Sequence, residues 1–150
     1  MKYNGYILAA LLVFSNAAIA ADGMVNVKSQ HSVADTADRL VGILNNKGMK
    51  VFNRVPHSDG ARNVGVELRD THLIIFGNPK IGSKLMACQQ SVAIDLPMKA
   101  LVWQDANKQS WISYNSPDYL ASRHGLSGCE GVLEKVKKAL AGMTSAAAGQ

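Results

Sequence analysis

Four side chains carry the groups that acid–base or anion chemistry uses: Lys80, Tyr114, Arg123 and His124. A lysine and an arginine hold anions, and a tyrosine and a histidine pass protons. Brought to one cleft beside a hairpin, they would make an enzyme-like site. Their spacing alone fixes no reaction. Glu67, Asp70 and Asp95 are too scattered to pair as acid and base, and no Ser-His-Asp or Cys-His set is legible along the chain. The histidines stand at positions 31, 57, 72 and 124. None has the i, i+2 or i, i+4 partner that puts two metal ligands on one element, so neither a metal nor a cofactor is expected. Gly77-Asn78-Pro79-Lys80-Ile81-Gly82 lacks the spacing of a phosphate-binding loop. Asn78-Pro79 reads first as a turn, which leaves Lys80 near a helix start as an attractor of anions. His124 follows Arg123 at a helix end, where a cation meets the negative end of the dipole.

The aromatic residues give a sharper pattern. Met98–Asp105 and Ser110–Asn115 are rich in β-formers and flank a short polar turn. A turn centred on Asn107 pairs Trp103 with Trp111 and Val102 with Ile112. Both tryptophans then share one sheet face, and Met98, Ala100, Val102 and Ile112 share the other. In a two-layer fold the aliphatic face suits the helices, which leaves the tryptophans on the open side. Such a surface needs covering by a second subunit or a ligand.

Two cysteines, Cys88 and Cys129, lie 41 positions apart. Their spacing is unlike the close dithiol of a redox motif, and an even count suits a structural bridge in an oxidising compartment. The N-terminus agrees. Lys2, the apolar run Ile7–Phe14 and Ala18-Ile19-Ala20 read as a signal peptide over residues 1–20, cleaved before Ala21. Eight apolar residues are too few to span a bilayer, which takes about 20. The expected location is periplasmic or secreted, with no membrane attachment after cleavage. Losing Lys2 lowers the formal net charge from +5 to +4. The basic residues are scattered except for Lys135, Lys137 and Lys138, which read as a solvated helix face rather than a nucleic-acid surface.

The elements that must position these residues follow from periodicity. Val25–Ser29 alternates as a strand. Ser32 and Asp35 open a helix that buries Val33, Ala37, Leu40, Val41 and Leu44, and Gly48 lies just past its end. Strands are expected over Met49–Val55 and Thr71–Gly77, with a loop or helical turn between them at Pro56–Asn63. A helix is expected over Ser83–Gln90. Ser116-Pro117-Asp118 opens a short helix ending at His124-Gly125, and Val132, Val136, Leu140 and Met143 mark the last helix. Residues 144–150 are small and polar and read as a flexible tail. One domain over residues 21–143 results, in the order β-α-β-β-α-β-β-α-α. That order suits an α+β fold with a mainly antiparallel sheet and helices on one face.

These segments resemble the domain-of-unknown-function family 302. The resemblance rests on Val64–Arg69, Leu73–Lys80, Gly82 with Leu85-Met86, Asp95-Leu96-Pro97, Leu101-Val102-Trp103, and Trp111 with Tyr114-Asn115, Pro117, Tyr119-Leu120 and Arg123-His124-Gly125. It runs from about Val25 to Ala141. It implies a two-layer arrangement like that of the TATA-binding protein, often as a homodimer, and brings no activity with it. The expected function is an exported, soluble binding or interaction module that dimerises or takes a small apolar or anionic ligand. The alternative is an enzyme using Lys80, Tyr114, Arg123 and His124.

Overall fold

The computed structural model describes residues 23–150; the expected signal peptide lies outside them. Five strands form one sheet: β1 (Met24–Lys28), β2 (Lys50–Pro56), β3 (Thr71–Gly77), β4 (Met98–Gln104) and β5 (Ser110–Asn115). Their spatial order is β1-β5-β4-β3-β2, and every neighbouring pair is antiparallel. The helices are α1 (Val33–Asn46), α2 (His57–Asn63), α3 (Pro79–Cys88), α4 (Pro117–His124) and α5 (Glu130–Ala148). Helices α1 and α5 lie across one sheet face, and α3 and α4 pack against α5.

Local signals explain most of these elements. Ser32 Oγ accepts the Asp35 N–H, and Ser116 Oγ accepts the Tyr119 N–H, closing the first turns of α1 and α4. Gly125 takes a left-handed conformation at φ +64°, ending α4. The apolar stripe of α1 then meets the aliphatic side of the sheet. Leu40, Leu44, Ile74, Phe76, Ala100, Val102 and Ile112 form one buried core with Leu140 and Met143 of α5.

Two expectations are corrected. Helix α3 starts at Pro79 rather than Ser83, because Asn78 Oδ1 accepts the Lys80 N–H and Pro79 occupies the first turn. The segment 144–150 is not a flexible tail: α5 continues to Ala148. Thr144, Ala147 and Ala148 are buried, and the Arg39 guanidinium and the Gln30 N–H donate to the carbonyls of Ala147 and Ala148. Small side chains there let the helix pack closely. Residues 57–63 form α2, the helical-turn form of that expectation.

Candidate functional site

The register pairs Trp103 with Trp111, Leu101 with Ser113 and Val102 with Ile112. Continuing the rows across the sheet puts Thr71, Trp103, Trp111 and Lys28 in one line, and Val55, Leu73, Leu101, Ser113 and Asn26 in the next. These residues alternate with the buried helix-side set, so they belong to the opposite face. Trp103, Trp111, Leu73, Leu101, Ile75 and Val55 are each half-buried.

The two indoles reach in opposite directions. Trp103 Nε1 donates to Ser113 Oγ at 2.7 Å, and Ser113 Oγ donates to Asn26 Oδ1 at 2.7 Å, crossing three strands. Trp111 Nε1 donates to Asp105 Oδ2 at 2.9 Å, back toward the hairpin turn. Asp105 also accepts the N–H groups of Asn107 and Gln109 through its other oxygen. The Trp111 bond is the main reason the Asp105 carboxyl sits below its ordinary pKa, with the backbone donors adding to it. With both indole N–H groups satisfied inside the sheet, the rings present mainly carbon.

The proposed cleft of Lys80, Tyr114, Arg123 and His124 does not assemble. Tyr114 points to the helix side and is buried beside Thr144 of α5; burial raises its pKa, partly offset by a hydrogen bond with Thr144. Lys80 is exposed near the start of α3. Among the described residues no hydrogen bond or ion pair joins either to the other two. Arg123 and His124 do meet, at Asp95. His124 Nε2 lies 2.6 Å from Asp95 Oδ2, and Arg123 Nε lies 3.5 Å from the same oxygen. The Tyr119 hydroxyl accepts from Arg123 at 3.0 Å and is the main cause of that guanidinium's raised pKa.

Sequence reasoning missed a further member of this cluster. Ser91 Oγ lies 3.1 Å from His124 Nδ1, giving the chain Ser91–His124–Asp95. A neutral His124 protonated at Nε2 would donate to Asp95 and accept the serine hydroxyl at Nδ1, the arrangement a general base needs. Residues 33 and 29 positions from His124 carry no local spacing signal, so only the fold reveals them. Ser91 and Asp95 lie on the short 3-10 turn Gln90–Asp95, which packs between α3 and α4. The α3 side of that turn borders an apolar cavity of about 470 Å³; Ala93 and Leu96 line it, whereas Ser91 and His124 do not.

His72 is used structurally. Arg54 donates to His72 Nδ1 at 2.9 Å and 3.1 Å and pairs with Asp38 of α1, tying that helix to β2 and β3. Burial first, and the Arg54 charge second, push the His72 pKa down. Cys88 and Cys129 form a disulfide with their Cα atoms 6.4 Å apart, linking the end of α3 to the start of α5.

The family model described as "Domain of unknown function DUF302" matches residues 25–143, from β1 to the second-last turn of α5. The chain belongs to the DUF302 family. Its fold is also that of the crystal structure of an uncharacterised conserved DUF302 protein from Bacillus stearothermophilus: TM-score 0.73, over 86% of this chain and 98% of that one. At 18% identity this likeness concerns the fold alone. Over 110 residues the DUF302 chain is 44% identical to proteins named fluoride-specific ion channel FluC 1 from Brucella suis and Brucella abortus. That match covers 73% of this chain but only 43% and 41% of those proteins, so the chain spans less than half their length. No helix among the described residues is long and apolar enough to cross a membrane.

Proposed function

We propose that this DUF302 chain is an exported binding module that acts by contact, joining a second copy of itself through the open sheet face. The observation that carries the reading is the set of half-buried apolar side chains around Trp103 and Trp111 (Val55, Leu73, Ile75 and Leu101), opposite the helix layer. Five strands about 4.8 Å apart and six residues long give a face of roughly 500 Å². A standard interface takes about 800 Å² per partner. The shortfall falls beside Val64, Val66 and Leu68, which are 75%, 55% and 47% exposed. That segment runs into β3 next to Trp103, held by the Arg69 bond to the Gln104 carbonyl. The face and this segment together suit a moderately stable, isologous dimer. Sedimentation across a hundredfold concentration range should show a monomer–dimer equilibrium, with tryptophan emission shifting in parallel. A monomer at all concentrations would refute the dimer.

A second reading, hydrolysis at Ser91, is favoured by the hydrogen-bonded Ser91–His124–Asp95 chain. A serine-directed fluorophosphonate should label Ser91, and His124→Ala should abolish the labelling, if this cluster is a nucleophile and its base. Against it, the same contacts tie α4 to the 3-10 turn, and the large apolar cavity lies on the turn's other side. Absence of labelling in folded protein would leave the cluster a structural tie.

A further inference from the structure

On the helix side of the sheet, where the ends of β3 and β4 meet α3 and α5, lies the cavity of about 470 Å³. That is within the ~300–1,000 Å³ usual for small-molecule sites. Its formation follows from three features. A β-bulge between Val51 and Asn53 takes Phe52 out of register with β3, and its ring borders the opening. Gly77 and Gly82 put no side chain into the space; a Cβ at Gly77 would stand 3.4 Å from Pro97 and 3.6 Å from the Phe52 ring. Four of the six methionines, Met49, Met86, Met98 and Met143, form much of the wall, so the surface can adapt to a ligand's shape.

The polar side chains at this cavity are few, and the one charge among them is positive. Among the described residues Asn78, Ser83 and Lys135 are its polar lining, Lys135 is the only charged one, and no carboxylate borders it. Of the three clustered lysines, Lys137 pairs with Asp118 and Lys138 with Glu134. Lys135 has no ion-pair partner among the described residues. A second ammonium, that of Lys50, sits 5.0 Å above the Phe52 ring at the rim.

We propose that this cavity binds an apolar acid, an acyl chain whose single anionic head meets Lys135. The site stands apart from the tryptophan face, on the other side of the sheet. Free fatty acids and acyl chains of anionic lysophospholipids share this chemistry. Calorimetric titration with octanoate, decanoate and dodecanoate, and separately with a lysophosphatidylglycerol of matched chain, distinguishes the two sources. Affinity should rise about fourfold per added methylene until the cavity is full. Decanol should bind more weakly than decanoate, and decyltrimethylammonium more weakly still. Lys135→Gln should lower decanoate affinity to the level of decanol without changing decanol. Ala139→Phe, at an exposed α5 position on the cavity wall, should block the whole series while circular dichroism stays native. No saturable binding of any acid or lysolipid overturns the proposal, as does equal affinity for the cationic amphiphile or unchanged binding by Ala139→Phe.

Discussion

The two faces of the sheet are built from alternate residues of the same strands, and their fates differ. Ile112 and Val102 point into the core under α1 and α5 and are fully buried. Leu101, Trp103 and Trp111, one residue away, are only half-buried. The helix side is completed by the chain itself. Among the described residues the tryptophan side is closed only by its own side chains, the two indoles lying across the sheet with their N–H groups bonded to Ser113 and Asp105. A period of two therefore separates the residues under the helices from those on the open face, which is the face we propose for a partner.

The largest effect should come from the helix side. Ile112→Ala should lower unfolding stability by about 2–5 kcal/mol, the range for emptying a packed site. Leu101→Ala, on the open face, should cost about 1 kcal/mol or less in dilute monomer. Urea titrations of both variants check this. Equal losses would mean that both faces are core in the monomer and would break the comparison. Next in size is the Cys88–Cys129 bridge, which closes a loop of 41 residues and fastens α3 to α5 behind the core. Replacing both cysteines by serine should lower stability by about 2–4 kcal/mol, and reductant should reproduce the loss in wild type.

Much of this arrangement was legible because its causes are local. The polar turn around Asn107 sets the hairpin register, and alternation then assigns each residue to a face. Ser32 and Ser116 announce their helices by side-chain chemistry acting within one turn. The misses also have local reasons. Asn78-Pro79 reads first as a turn, yet Asn as N-cap with Pro in the first turn is itself a helix start. The small residues after Met143 looked like a frayed end, whereas small size is what lets Ala147 and Ala148 pack under Arg39 and Gln30. The Ser91–His124–Asp95 chain joins a 3-10 turn to a helix about thirty residues away, and no periodicity encodes that contact. The cavity was invisible for a related reason: it depends on a bulge at Phe52 and on two glycines that only tertiary packing brings to one wall.

A smaller effect sharpens the description of the open face. The indole N–H of Trp111 holds the Asp105 carboxyl below its ordinary value near 3.8. The folded state therefore prefers the carboxylate. The stabilisation is present above the unfolded pKa and is lost as pH falls through the lower, folded one. Trp111→Phe should be less stable than wild type at pH 7, and the gap should narrow as pH falls below about 4. Urea midpoints at several pH values measure it. A gap independent of pH would mean that the Trp111–Asp105 bond contributes nothing and that the ring acts by packing alone.

The central claim is that the tryptophan face is a contact surface rather than core. Sedimentation equilibrium of Trp103→Ser/Trp111→Ser beside wild type, with circular dichroism on the same samples, tests it most directly. The account predicts a wild-type dimer and a folded, monomeric double variant with a native helical spectrum. An unfolded double variant, or one that still dimerises as wild type does, would contradict it.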